Sequence, residues 1–292
     1  MVAEVHQMNY LVFGGSGLLG REFAKFDVGI PHKAHVFSRD ELDITNTQAV
    51  ISVVERIRPD MIINCAAWTD IDKGESFPKQ MFKINTQAVC ALTQLLEKYP
   101  VKFFQLSTDY VFDGVARDGH SIGDLPNPVN KYGLSKLEAE RCTLHFLPHT
   151  GYVIRTSWLY GHGGSTFPNK ILNTWRTAGK VVVLGTSFGQ PTWTKTLSRR
   201  ILSLAISEAP PGIYHITGKG SASRFSYAQE LFRSLHLPVH DIEQGHSAVS
   251  GAQRPKSTIL IPTDLSEFCI EEMPAWEDDL DRAVKDGVFN GF

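Results

Sequence analysis

The chain has 292 residues, 42% hydrophobic and 21% charged, with a formal net charge of −2 at pH 7. That length exceeds the ~150 residues of an average domain, so it implies one large α/β unit or two closely associated lobes around a sizeable core. The near-neutral balance supplies no basic field for nucleic acid or anionic lipid, and no apolar run approaches the ~18 residues of a bilayer span. With no signal-peptide pattern at the N-terminus, the reading is a soluble cytoplasmic protein with no nucleic-acid and no membrane partner.

Apolar runs that read as buried parallel strands recur at 10–13, 34–37, 61–63, 102–106, 152–154 and 181–184. Helical periodicity separates most of them, at 18–26, 47–57 and 83–98, and at 134–144 after a longer loop. This alternation predicts an α/β fold: a Rossmann-type doubly wound parallel sheet that binds its ligand at the carboxyl ends of the strands. Beyond about residue 160 the pattern loosens into Gly-, Pro- and Ser-rich stretches. We therefore expect a Rossmann domain over 1–160 and a smaller C-terminal lobe over 161–292, with part of 180–215, a helix at 196–207, open to returning to the first domain. Trp276, Leu280 and Val284 are spaced by four, which predicts an amphipathic helix with Glu277, Asp278, Asp279 and Asp281 in solvent.

Cys65, Cys90, Cys142 and Cys269 lack the spacing of a zinc site or a redox motif and are read as reduced thiols. His145 with His149, and His236 with His240, have the spacing of helical metal ligands, but each pair encloses a proline. No metal site is predicted.

Three motifs carry chemistry. Gly15-Ser16-Gly17-Leu18-Leu19-Gly20 fits G-x-G-x-x-G, and Gly14, Gly17 and Gly20 fit G-x-x-G-x-x-G, directly after a strand and before a helix. Such a turn lets backbone N–H groups approach a pyrophosphate at a helix N-terminus. At the end of the second strand, where a carboxylate would select NAD, the chain reads Phe37-Ser38-Arg39-Asp40. Serine and arginine suit a 2′-phosphate, so NADPH is the expected cofactor, with Asp40 leaving NADH open. Finally, Tyr132 and Lys136 are four apart and share a helix face, where the ammonium would bring down the phenol pKa and make a proton donor for a carbonyl.

The pieces GGSGLLG, LDIT at 42–45, RPDMIINCAAWTDID at 58–72, LSTDYVFDG at 106–114, NKYGLSKLEAE at 130–140, RTSWLYG at 155–161, GQPTW at 189–193, GAQRPKS at 251–257 and PAWEDDLDRAV at 274–284 follow in order over nearly the whole chain. Together they resemble the extended short-chain dehydrogenase/reductases, and within them the dTDP-4-dehydrorhamnose reductase family. The resemblance implies catalysis by Thr108, Tyr132 and Lys136, with Asp43 and Ile44 by the adenine and Cys65, Ala66 and Ala67 by the ribose and diphosphate. It puts Thr108, Asp109, Tyr110, Trp158 and Arg254 on the substrate side. It also implies NADPH-dependent reduction of the C4 keto group of a dTDP-linked 4-keto-6-deoxy-sugar, most of all dTDP-4-dehydro-L-rhamnose, and allows a homodimer. The family's Gly-Gly-Asn-Phe segment is replaced here by Gly163-Gly164-Ser165-Thr166-Phe167, so reduction is better supported than the sugar. Two alternatives stay open: a nucleotide-sugar epimerase or dehydratase, and a non-catalytic regulatory subunit like the β-subunit of methionine adenosyltransferase.

Overall fold

A computed structural model describes residues 8–25, 32–116, 118–245 and 251–291. Its centre is a six-stranded sheet containing β1 (Met8–Phe13), β2 (His32–Phe37), β3 (Met61–Asn64), β4 (Lys102–Thr108) and β5 (Gly151–Thr156). The strand Gly212–His215 completes it beside β5, and the order is Gly212–His215, β5, β4, β3, β1, β2. Every pairing is parallel. Residues of β3 and β5 are buried without exception, because helices cover both faces; that is why these strands read as continuous apolar runs. From β1 the chain moves outward to β2 and then crosses back to β3, so the strand order reverses between β1 and β3 and opens a crevice at their carboxyl ends.

One face is covered by the helices Thr47–Ile57, Ala88–Leu96 and Lys131–Phe146, whose apolar side chains join Leu11, Phe13, Ile62 and Phe103. The first of these starts at Asn46, whose side chain accepts from Ala49 N, and stops at Arg58 in the left-handed region at φ 50°. On the other face the helix Thr194–Ile206 lays Leu197, Ile201, Leu202 and Ala205 against Tyr10, Val12 and Phe104. A second core gathers Tyr160, Ile171, Trp193, Tyr227, Phe232, Trp276 and Leu280 from the helices Phe167–Ala178, Arg224–Ser234 and Trp276–Lys285 and the paired strands Leu159–Tyr160 and Thr192–Trp193.

Several expectations need correction. The run 181–184 is a strand, Val181–Leu184, but it pairs with Ile242–Gly245 outside the main sheet and leaves Val182 61% exposed. The helix expected at 18–26 is the single turn Gly20–Phe23, because residues 14–19 are spent on the glycine turn; Phe26 lies outside the described residues. Asp279 is not in solvent but 1% exposed, facing Thr196 Oγ1 at 2.9 Å on the inner side of its helix. Burial pushes its carboxyl up to about 6. Cys90 and Cys142, 52 residues apart, are not free thiols. Packing of the helices Ala88–Leu96 and Lys131–Phe146 brings their Cα atoms to 5.1 Å, and a disulfide joins them, while Cys65 and Cys269 are free. The second of those helices stops at Phe146, ahead of Pro148, so His145 and His149 share no helix face. Among the described residues no cluster of metal-ligating side chains occurs and no helix is long and apolar enough to cross a membrane.

Candidate active site

The glycine turn is folded by its own lack of side chains. Gly14 sits at φ +79°, and a Cβ there would lie 2.7 Å from the backbone nitrogen of Ala66; one on Gly20 would lie 2.2 Å from the Gly14 carbonyl oxygen. Gly15 N donates to the Phe37 carbonyl at 2.7 Å, which ties the turn to the end of β2. Gly17 differs, since a Cβ there would meet only Gly14 O, at 3.0 Å. The turn forms one wall of a cavity of about 550 Å³, with Ser16, Gly17, Leu18, Leu19 and Gly20 facing Cys65, Ala67, Tyr132, Lys136 and Trp158. Arg21 closes it from behind, donating to Ser16 O at 2.6 Å, Gly17 O at 3.2 Å and His162 O at 3.1 Å. Sequence reasoning missed Arg21, since nothing local marks a side chain that folds back on its own turn.

Gly14, Ala66, Ser38, Arg39, Asp43 and Ile44 lie outside the cavity wall. The hydroxyl and backbone nitrogen of Ser38 both donate to the Glu41 carboxylate, at 2.7 and 2.8 Å. Arg39 is 3.6 Å from Asp43, which also accepts from Thr45 N at 2.8 Å, and Ile44 is buried in the sheet-side core. A carboxylate therefore does stand at the end of β2, three residues beyond the serine and just past the short motif on which the NADPH expectation rested.

The helix Lys131–Phe146 begins where the Asn130 side chain accepts from Gly133 N at 2.8 Å. Gly133 packs against β4's end, where a Cβ would lie 2.0 Å from the Tyr110 carbonyl oxygen. This contact sets the Tyr132 ring edge-on to Tyr110, with centroids 6.1 Å apart. One turn later Lys136 is buried close enough to Cys65 for their charges to interact. Burial lowers the Lys136 ammonium to about 8 against the opposing field of Glu140, and pushes the Cys65 thiol up to about 12. Glu140, a further turn along the same face, is held by Arg155 at 2.7 Å and by the Ser107 hydroxyl.

The expectation that Tyr132 would be acidified is corrected. Its pKa is raised, chiefly by burial and then by the Asp109 charge, while the Thr108 hydroxyl beside it pulls the other way. Loss of water around a would-be phenolate outweighs the neighbouring groups, so Tyr132 is a neutral phenol that holds its proton at pH 7.

Thr108 and Asp109 are 7% and 3% exposed. The Thr108 hydroxyl donates to Asp109 Oδ1 at 2.9 Å and accepts from Tyr110 N at 3.2 Å. Asp109 Oδ2 accepts from the hydroxyls of Ser157, at 3.0 Å, and Thr258. Asp109 thus lies beneath the site and organises it from below, and burial raises its carboxyl pKa against those three hydroxyls.

A second cavity of about 850 Å³ adjoins the first across Trp158, Phe167 and Arg224, which line both. Tyr110, Arg254, Lys170 and Lys256 line it with apolar Ile171, Val183 and Phe188. Trp158 is held in the left-handed region at φ 41°, and its indole fills the space a Cβ on Gly189 would need, at 2.3 Å. Arg254 Nη2 donates to Asp72 Oδ2 at 2.7 Å, a partner 182 residues away that the local motif does not reveal.

A glycine turn at the strand-order reversal, with a Tyr-x-x-x-Lys helix face opening into the same cavity, defines an extended short-chain dehydrogenase/reductase. The RmlD substrate binding domain matches residues 8–288, and the chain belongs to that family. It is 39% identical over 277 residues to a dTDP-4-dehydrorhamnose reductase of Streptomyces griseus, covering 91% of this chain and 90% of that protein. It is 33% identical over 253 residues to a dTDP-4-keto-6-deoxy-D-glucose reductase of Streptomyces niveus, covering 86% and 88%. The crystal structure of dTDP-4-dehydrorhamnose reductase from Bacillus anthracis in complex with NADP superposes with a TM-score of 0.90 at 29% identity, over 97% of this chain and all of that one.

Proposed function

We propose that the protein is an NADPH-dependent reductase of the C4 keto group of a dTDP-linked 4-keto-6-deoxy-sugar, with dTDP-4-dehydro-L-rhamnose as the substrate of first choice. The carrying observation is that the cavity walled by the glycine turn reaches Tyr132 and Lys136 and adjoins, across Trp158, Phe167 and Arg224, a second cavity lined by cations. A dinucleotide fits the first: Gly14 and Gly20 leave no room for side chains on the fold side, and Gly17 lines the cavity. The activities named for the two Streptomyces relatives and the NADP in the Bacillus anthracis structure support the choice of substrate class and cofactor. The same reading takes the protein to be cytoplasmic and allows a homodimer.

The backbone of residues 14–20 would hold the cofactor's pyrophosphate, and Ser38 and Arg39 would face its adenosine end. When bound, NADPH supplies the hydride that reduces C4. Tyr132, kept protonated by burial, gives its proton to the oxygen that gains charge. The Thr108 hydrogen is committed to Asp109, so the role we assign to Thr108 is to hold the Tyr132 hydroxyl in place from beside it, with the phenol hydrogen left for the substrate oxygen, in place of donating to the carbonyl. Lys136, charged below about pH 8, draws the cofactor's ribose hydroxyls and stabilises the phenolate left behind.

The test mixes purified protein with NADPH and dTDP-4-keto-6-deoxy-sugars and follows nicotinamide absorbance. NADPH oxidation with no second protein added is expected. A folded protein that binds NADPH but turns over none of these sugars overturns the reading.

A further inference from the structure

Arg224 enters the cleft from the first turn of the helix Arg224–Ser234. Its guanidinium carbon lies 3.5 Å from the centroid of the Trp158 ring and 4.6 Å from that of Phe167, so two aromatic faces hold the group in place. Among the described residues its side chain forms neither a salt bridge nor a hydrogen bond. The one carboxylate whose charge reaches it, Asp109, is already occupied by three hydroxyls. Arg254 in the same cleft is, by contrast, neutralised by Asp72.

An arginine has five N–H donors and cannot shed its charge, so a half-buried one without an acceptor is set up for an anion from outside. Its position says which part of a ligand. Arg224 lines both cavities, standing between Tyr132 on the inner side and the apolar Val183 and Phe188 on the outer. A sugar nucleotide with its keto carbon at Tyr132 and its base against that apolar wall carries its diphosphate past this point.

We propose that Arg224 binds the diphosphate of the substrate through the phosphate nearest the sugar, and so sets how deeply the keto carbon reaches towards Tyr132. This rests on the nucleotide-sugar reading above. Neither the glycine turn nor the Tyr-x-x-x-Lys face requires an arginine here, so the assignment comes from the tertiary contacts alone.

The test is calorimetric titration of the parent protein, Arg224→Gln and Arg224→Met with dTDP and, separately, with NADPH. Methionine keeps an apolar body between the two rings and covers the case in which the glutamine variant fails to fold. Loss of charge-assisted hydrogen bonds to phosphate should weaken dTDP about 10- to 100-fold in either variant. NADPH affinity should stay within about twofold of the parent. Parental dTDP affinity in a folded variant overturns the role of Arg224 and leaves the reductase reading standing. Weakened NADPH with unchanged dTDP overturns it too, by moving the residue to the cofactor. A parent protein that binds NADPH but not dTDP overturns the nucleotide-sugar reading itself, and this proposal with it.

Discussion

Tyr132 holds its proton because burial disfavours the phenolate and the Asp109 charge adds to this, and a proton donor for reduction has to begin protonated. Tyr132→Phe removes that proton and leaves the ring and Lys136 in place. We expect kcat to fall by about 10²–10⁴, the usual range for general acid catalysis, with NADPH affinity near the parental value by calorimetry. Thr108→Val should cost less, since Thr108 aims the donor and supplies no proton. Retention of more than about a tenth of turnover by Tyr132→Phe, with chemistry rate-limiting, would remove Tyr132 from the donor role. Lys136 adds a pH signature. Its ammonium is protonated below about pH 8 and neutral above, so NADPH affinity should decline as pH rises through that value. In Lys136→Met the affinity should be weaker throughout and lack that step; a parental pH profile in this variant would detach the lysine from the cofactor.

At the scale of elements, the glycines of one turn divide by what their missing side chains would touch. A Cβ on Gly14 or Gly20 would overlap backbone at 2.7 or 2.2 Å, so substitution there attacks the fold, whereas one on Gly17, which lines the cavity, would press on the Gly14 carbonyl oxygen alone, at 3.0 Å. Gly17→Val should leave the melting temperature within a few degrees of the parent and abolish NADPH binding; parental affinity in a folded variant would return the turn to a purely structural role. The C-terminal helix Trp276–Lys285 supplies a second case in Asp279, whose carboxyl is raised to about 6 from 3.8. Above pH 6 the folded state carries a buried charge that the unfolded chain solvates freely. Between pH 6 and 3.8 the folded state takes up a proton first, so this penalty fades as pH falls. At ~1.36 kcal/mol per unit, Asp279→Asn should stabilise the protein by up to about 2–3 kcal/mol at pH 8, an advantage that closes towards pH 4 in urea denaturation. A pH-independent difference would show that the carboxyl does not titrate as its burial implies.

For the whole molecule, the two cavities share Trp158, Phe167 and Arg224, so one rigid wall serves both ligands. Arg21 also links the glycine turn to the His162 carbonyl, which carries cofactor-side geometry into the substrate side. A ligand that binds only the folded state stabilises it by about 2.7 kcal/mol at 100 times its Kd. NADPH at that excess should therefore raise the melting temperature of the parent by several degrees, and Gly17→Val should show no rise.

The sequence alone determined the sheet from β1 to β5, the helix 47–57, the glycine turn and the Tyr132–Lys136 face. Each of these is written in spacings of a few residues: strands buried on both faces are apolar throughout, a turn that meets backbone needs glycine, and a four-residue interval returns to the same helix face. The sixth strand, Gly212–His215, was not legible, because it is four residues long, only Tyr214 and His215 are buried, and its polar end is held by distant groups, with His215 N donating to Thr263 Oγ1 at 2.9 Å. Only the tertiary structure decided the upward shift of Tyr132, the hold of Asp109 on Thr108, the Glu41 carboxylate on Ser38, the Cys90–Cys142 bond and the open guanidinium of Arg224. Charge state and hydrogen-bond direction depend on which distant groups share a buried space, and Thr258, 149 residues beyond Asp109, leaves no trace in the motif that it completes.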